Sequence, residues 1–133
     1  MKKNRAFTLI EILVVATIIV LLTAAGVVSY SVFLKQSRDL KRKADLGQIS
    51  AALEMYRSTN DTYPTTGLSQ LTAPTVYIQT VPTDPKNPTY TYYYTATASD
   101  YTLGAYLENG VTTCVAAQCG GNCNYCLGPY GQK

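Results

Sequence analysis

Four cysteines lie close together near the end of the chain, and thiols are the most reactive groups that this sequence clusters. Their spacing is C-x4-C-x3-C-x2-C, formed by Cys114, Cys119, Cys123 and Cys126. Such a cluster can form two disulfides, or it can bind zinc through four thiolates, for which C-x2-C is the usual half-motif. Four cysteines allow three disulfide connectivities, and the spacing does not choose among them.

A single acid stands at the start of a long apolar run. Residues 12–34 are 23 consecutive uncharged residues, and Glu11 directly precedes them. An ionised carboxylate near a membrane core is costly unless a cation pairs with it or the side chain reaches the interface. Glu11 is therefore either a paired functional group or an acid that reaches water from the helix start.

The apolar run itself is long enough to cross a membrane. As a helix it would reach roughly 34 Å at ~1.5 Å per residue, against a hydrocarbon core about 30 Å thick. The later sequence offers too little apolar surface to enclose a rod that is hydrophobic on all sides. We predict a transmembrane helix, with small residues at 24–26 that allow close packing of another helix.

The composition argues against an enzyme and against a nucleic-acid-binding domain. The 133-residue chain has a formal net charge of +3, no histidine and scattered acids. Three of the eleven positive charges lie in the first five residues, so the remaining eight balance the eight acids. We therefore expect no catalytic residues, no cofactor and no direct binding of nucleic acid.

The helix is predicted to continue beyond the apolar run. No proline occurs before Pro64, and apolar residues step by three, four and three at Leu46, Ile49, Leu53 and Tyr56. This is the stripe of an amphipathic helix, which we place at residues 35–61. A helix over residues 7–58 would be about 78 Å long.

The remaining residues, 62–133, have the composition of a small β-rich head. They hold all six prolines, and the segments 90–97 and 101–107 are rich in tyrosine and threonine, with a turn at Ser99-Asp100. This pattern predicts a β-hairpin that packs on the helical stripe, giving an α+β fold with a small antiparallel sheet. We expect the tyrosines to pack there and to present their hydroxyls to water.

The start of the chain resembles the processing motif of type IV prepilins and pseudopilins, carried by Ala6-Phe7-Thr8-Leu9-Ile10-Glu11. The resemblance implies that a prepilin peptidase removes residues 1–6 by cutting between Ala6 and Phe7, and that Phe7 is then N-methylated. It also implies that Glu11 meets the N-terminal amine of a neighbouring subunit during filament assembly. Gly is the commoner residue before the cut, so Ala6 is a departure from the pattern.

Two later stretches, YPTTGL at 63–68 and VPTDPKNPTYTY at 81–92, resemble the loop and first strand of type II secretion major pseudopilins and related pilins. The resemblance implies a type IV pilin-like fold and a helical filament of identical subunits. It also implies an assembly platform with its ATPase. The subunit would be held in the cytoplasmic membrane by one helix before assembly, with its C-terminal domain outside, and would lie at the cell surface afterwards.

The implied location of the C-terminal domain outside the cytoplasm favours disulfides over a metal site, and it conflicts with the distribution of basic residues. Thiols oxidise outside the cytoplasm, and a glycine-rich tail gains much from cross-links, so we predict two disulfides rather than a metal. Many type IV pilins close a C-terminal loop with a disulfide, which this cluster resembles in position. The basic residues after the apolar run would suggest a cytoplasmic C-terminal side by the positive-inside rule, but the motif and the cysteines override that count.

The basic residues are partly neutralised along the helix by Asp39 and Asp45. Spacing of four residues predicts the pairs Asp39–Lys43 and Lys41–Asp45. We expect the cluster to be a solvated helix face or to form ion pairs between subunits. Its members are Lys35, Arg38, Lys41, Arg42 and Lys43.

Three hypotheses of function follow. The first is a subunit of a type IV pilus-like surface filament for adhesion, motility or DNA uptake, and the second is the major pseudopilin of a type II secretion system. Those pseudopilins carry an acidic calcium-binding loop, whereas Asp100 and Glu108 are the only acids here after Asp84, so we expect no calcium. The third is a monomeric membrane-anchored binding module that uses the tyrosine-rich hairpin as its contact surface.

Overall fold

The protein is described here from a computed structural model, which describes residues 7–110, 114, 119 and 123–133. The described residues group into two compact units, one ending at Leu34 and the other beginning at Lys35. The first unit consists of helix and a short N-terminal segment. The second, which we call the head, contains helix, sheet and loops.

One long helix, α1, accounts for the N-terminal half of the chain. It runs over Leu9–Asn60 for 52 residues, so the predicted unbroken helix is confirmed. It ends where Asp61 adopts a left-handed conformation with a φ of 59° and donates its N–H to the carbonyl of Arg57 at 2.8 Å. A left-handed residue directly after the last turn is a common helix terminator, because it satisfies a free carbonyl.

A four-stranded antiparallel sheet forms the other layer of the head. The predicted hairpin is confirmed, with Tyr94 opposite Leu103 in its register. Two further strands from the C-terminal tail were not predicted, and Leu127 lies opposite Leu103 on the other side. The strands, in sheet order, are β1 Tyr93–Ala96, β2 Tyr101–Ala105, β3 Tyr125–Gly128 and β4 Gly131–Gln132, and a short 3-10 helix covers Leu68–Leu71.

The core lies between α1 and the sheet, as the helical stripe predicted. Leu46, Ile49 and Leu53 have no exposed surface, and they share one cluster with Leu71 and Leu103. Burying each such side chain contributes about 1.5–3 kcal/mol relative to exposure, so this stripe is a substantial apolar contribution to the head. Tyr56, the last residue of the predicted stripe, is half-buried at the margin of the cluster.

The tyrosines pack as expected, but several hydroxyls bond within the head instead of pointing only to water. Tyr92 donates to the Asp45 carboxylate at 2.7 Å, and the hydroxyls of Tyr101 and Ser50 hydrogen-bond at 2.8 Å. Burial raises the pKa of Tyr101 to about 12. The hydroxyl therefore stays protonated at physiological pH, and these bonds fix the sheet on the helix.

A buried arginine organises one end of the head. The Arg42 side chain has no exposed surface, and its Nε and Nη2 donate to the two Asp84 oxygens at 2.7 and 3.1 Å. Its Nη1 donates to Asp39 at 2.9 Å and to Glu108 at 3.1 Å. We call these residues, together with Arg38 and Lys86, the Arg42 cluster. Three cations face three carboxylates, so the buried charges compensate one another.

The carboxylates of the Arg42 cluster also hold backbone segments in place. Asp84 accepts the N–H of Lys86 at 2.7 Å, which shapes the turn at residues 84–87. Asp39 on α1 accepts the N–H groups of Glu108 and Asn109 at 2.8 Å each. The cluster therefore ties the helix to the proline-rich loop and to the segment that follows β2.

This arrangement corrects two expectations about the charged residues. The carboxylate of Asp39 bonds Arg42 and that of Asp45 bonds Tyr92, so neither makes the predicted pair four residues away. Arg42 and Arg38 bind acids of their own head, so these two residues do not belong to a purely solvated helix face. The bidentate hydrogen bonds from Arg38, at 2.7 Å each, hold the pKa of Glu108 well below its usual range.

We predict that Asp84→Asn destabilises the head strongly. The asparagine keeps the oxygen that accepts the Lys86 N–H, but it leaves the buried guanidinium of Arg42 without its bidentate anion. Breaking a buried pair by neutralising one partner costs about 3–5 kcal/mol. Urea unfolding of the full chain in detergent, followed by the near-ultraviolet circular dichroism of the tyrosines, measures the loss.

Asp100→Asn is the matched control for this prediction. The Asp100 side chain is 53% exposed and pairs with Lys133 at 2.8 Å. An exposed pair contributes up to about 1 kcal/mol, so the control should lose no more than that. Equal free energies of unfolding for the two variants would contradict the prediction that the buried Arg42–Asp84 pair stabilises the head more than an exposed pair does.

Candidate functional site

The N-terminal segment carries the residues of the predicted processing and assembly site. Ala6 lies outside the described residues, whereas Phe7 and Thr8 immediately precede α1. The Glu11 carboxylate accepts two hydrogen bonds through Oε2, one from the N–H and one from the hydroxyl of Thr8, both at 2.8 Å. The N–H of Glu11 in turn donates to the Thr8 hydroxyl at 3.4 Å. This reciprocal arrangement is a capping box.

The capping box gives Glu11 a partner within its own subunit. Its negative charge lies at the positive end of the helix dipole, and Thr8 satisfies one carboxylate oxygen. The sequence indicated a cation or water as the partner of this acid, and the local bond to Thr8 was missed. The signal was present as a Thr followed three residues later by a Glu before an apolar run. Both bonds use Oε2, so Oε1 points to no donor in the described part of the chain.

The first unit presents an extensive apolar surface. Within the described residues, α1 is the one helix long and apolar enough to cross a membrane by length and composition. Phe7 and Leu9 are 81% and 83% exposed in the isolated subunit, and the large apolar side chains at 10–22 and 30–33 are all at least about half-exposed. A surface of this kind requires cover from lipid or from other proteins.

The four cysteines form two disulfides, Cys114–Cys126 and Cys119–Cys123. All four residues are buried, and they form a second cluster with Tyr93 packed against it. Cys126 lies on β3, opposite Gly104 of β2. The longer cross-link therefore anchors Cys114, which precedes Cys126 by 12 residues, directly to the sheet.

Gly104 allows the disulfides to lie against the sheet. A Cβ atom at this position would be 3.0 Å from the Cys123 sulfur and 3.1 Å from the Cys119 Cβ. Larger residues would displace the Cys119–Cys123 disulfide. A glycine inside a strand pattern signals such a close approach, and sequence reasoning did not use this signal.

Comparison with protein families identifies the chain. The family described as type II secretion system protein G matches residues 32–118, which is more than half of the chain. The prokaryotic N-terminal methylation motif matches residues 1–27. The chain belongs to the type II secretion system protein G family. Searches of curated proteins and of solved structures find no match.

Membership in the protein G family accounts for the division of the chain into an apolar helical unit and a head. The protein is a pilin or pseudopilin type of filament subunit, with a long N-terminal helix and an α+β head. The methylation motif and the apolar helix indicate anchoring in a membrane. The matched families are structural rather than enzymatic.

The Arg42 cluster of the head was not predicted from the sequence. Asp39 and Arg42 continue the helical stripe toward the N-terminus, because the steps from 39 to 42, 46, 49 and 53 are three, four, three and four. Charged residues on the buried stripe predict buried partners elsewhere in the head. That periodicity was the available signal, and Asp84 in the VPTDP stretch was the available acid.

We predict the disulfide connectivity of the protein G-type tail. Loop-closure estimates give about 3 kcal/mol for the Cys114–Cys126 bond and about 2 kcal/mol for Cys119–Cys123, because the second loop is shorter. Electron-transfer fragmentation of the unreduced chain in a mass spectrometer reports the pairing. Fragments linked as 114–126 and 119–123 are expected, and the reduced chain is the control. A crossed pairing, or a mass with four free thiols, would refute this assignment.

Proposed function

We propose that the chain is a precursor that is cut between Ala6 and Phe7 and then polymerises into a filament. In this proposal residues 1–6 are the leader and residues 7–34 form the membrane anchor and later the filament core. Residues 35–61 are the amphipathic continuation of the helix, and 62–133 complete the head. The match of residues 1–27 to the methylation motif supports the cut and an N-methylated Phe7.

The main observation that supports this proposal is the exposure of the apolar side chains of the first unit. They cover every side of the helix in the isolated subunit, which no single docking partner on one side would satisfy. Lipid covers such a helix in the membrane, and the equivalent helices of neighbouring subunits cover it in a filament. Polymerisation thereby exchanges one apolar environment for another and avoids the cost of exposure to water.

Glu11 is proposed to set the register between neighbouring subunits. Its Oε2 is held by Thr8, so the carboxylate is already oriented before assembly. The new amine of Phe7 in an adjacent subunit is the cation that a buried carboxylate requires. Because the capping box fixes the carboxylate at the start of the helix, an ion pair there restricts the axial position of the incoming subunit.

The partners of the subunit follow from this proposal. They are further copies of the chain, a prepilin peptidase, and an assembly platform with its ATPase. The subunit is held in the cytoplasmic membrane by its helix before assembly, with the head outside. Two disulfides in the head support a location outside the cytoplasm, where thiols oxidise.

A filament of the type II secretion kind is the better-supported of the two filament types. The protein G match covers residues 32–118, which include most of the head, whereas the methylation motif is common to both types. A surface pilus is the second candidate because a disulfide closes the C-terminal region. Asp100 and Glu108 already bind Lys133 and Arg38, which weighs against a calcium site formed by these acids.

A monomeric binding module is the least supported hypothesis. Its contact surface would be the tyrosine-rich hairpin. The hydroxyls of Tyr92 and Tyr94 instead bond to Asp45 and to the Pro64 carbonyl of the same head. These side chains stabilise the fold, so fewer of their hydroxyls remain for a binding partner.

We predict that Glu11→Gln and Glu11→Ala both insert into the membrane and are both processed, but that neither forms filaments efficiently. Glutamine can keep the capping box with Thr8 while it removes the charge, whereas alanine removes both. If the charge pairs with the Phe7 amine of a neighbour, the two variants fail equally. The measurement is the ratio of sheared filament to membrane-bound subunit in cells without the wild-type protein.

Thr8→Ala is the control for the capping box, since it weakens the cap and keeps the charge. It should assemble far better than either Glu11 variant. Normal filament yield from Glu11→Gln together with failure of Thr8→Ala would show that the cap matters and the charge does not. That result would overturn the proposed role of the ion pair.

A further inference from the structure

The four cysteine sulfurs form one compact group rather than two separate cross-links. All four Sγ atoms lie within 4.8 Å of one another. Between the two disulfides, the sulfur of Cys123 lies 3.7 Å from that of Cys114 and 3.8 Å from that of Cys126. The sulfurs of Cys114 and Cys119 are 4.0 Å apart. Two disulfides could cross-link this tail without such proximity.

These separations match the edges of a tetrathiolate zinc site. Zinc binds thiolates at about 2.3 Å in a tetrahedron, which places neighbouring sulfurs about 3.8 Å apart. Three of the four sulfur distances between the disulfides fall within a few tenths of an ångström of that value. The fourth, between Cys119 and Cys126, is at most 4.8 Å. The two bonded pairs must separate when the S–S bonds open, and the sulfurs of Cys119 and Cys126 must approach by up to about 1 Å.

The surrounding fold helps to hold the sulfurs in this position. Cys126 belongs to β3, where the register with β2 fixes it opposite Gly104. Cys119 and Cys123 lie against Gly104, and Tyr93 packs on the group. All four cysteines are buried, which suits a closed structural site with four protein ligands and no water.

We propose that the chain with reduced cysteines binds one zinc ion through the thiolates of Cys114, Cys119, Cys123 and Cys126. The cluster then has two closed states, one with two disulfides and one with zinc. Binding converts four thiols and Zn²⁺ into a tetrathiolate complex and releases four protons, and no electrons are transferred. A newly made chain already carries four thiols, so zinc binding needs no reductant. Formation of the disulfides is the competing reaction, in which a disulfide oxidant takes up four electrons.

The test begins with metal binding by the full chain in detergent. The chain is reduced with a phosphine without oxygen, freed of reductant and titrated with zinc against a chromophoric chelator. We expect one zinc per chain, and cobalt in its place should give the intense visible absorption of a tetrahedral thiolate site. The unreduced chain is the control and should bind no metal at the cluster.

Single Cys→Ser variants at the four positions show whether all four sulfurs are ligands. Loss of an outer-shell partner alone costs 10–100-fold in metal affinity, so loss of a ligand should cost at least about 100-fold at each position. An effect at only two positions would indicate zinc held by a cysteine pair and would overturn the four-ligand site. Absence of stoichiometric binding would overturn the site altogether.

Hydrogen exchange over β3 distinguishes a site within the fold from adventitious binding to free thiols. Its amides should be protected equally in the oxidised chain and in the reduced chain with zinc. Protection should be lost in the reduced chain with a chelator. Reduced chain that binds zinc but leaves β3 as unprotected as the chelator sample would contradict the proposal, because the metal would then not close the tail onto the sheet.

Discussion

The buried guanidinium of Arg42 is the constraint on which the head depends. A cation with no exposed surface must be surrounded by anions, and Arg42 finds them on three separate segments of the chain. Asp39 comes from the helix, Asp84 from the proline-rich loop and Glu108 from the segment after β2. The bonds to Asp84 and Glu108 are charge-assisted and directional, so they orient the proline-rich loop and the segment after β2 on α1 in a way that hydrophobic packing, which is not directional, would not.

Three kinds of interaction stabilise the head in addition to its small apolar core: ion pairs, tyrosine hydrogen bonds and disulfides. The apolar stripe of α1 supplies the centre, the Arg42 cluster fixes one set of loops, and tyrosine hydroxyls attach the sheet to the helix. The disulfides attach the tail to β2 and β3. By contrast, the first unit has no internal partner for its apolar side chains within its described residues. The described residues thus divide into a head with its own core and a helix whose apolar side chains are exposed in the isolated subunit.

The parts of the fold that periodicity specifies were predictable, and those that depend on pairing between distant residues were not. The helix, its stripe at Leu46, Ile49 and Leu53, and the hairpin follow from local patterns with periods of 3.6 and 2. The strand β3 was missed because its four residues lie in a glycine-rich tail whose composition resembles a loop. Two of the three acidic partners of Arg42 are 42 and 66 residues away in sequence, so local spacing instead suggested pairs within the helix. The Thr8–Glu11 cap was local and could have been found.

The central claim is that this chain is a filament subunit whose mature N-terminus is Phe7. Intact-mass measurement on filaments sheared from cells that make the protein tests this claim most directly, because it reads assembly and processing in one sample. The account predicts a fibre-borne chain that begins at Phe7 and carries one additional methyl group on its amine. Fibres whose subunits retain Met1, or recovery of the chain only as a monomer in the membrane fraction, would contradict it.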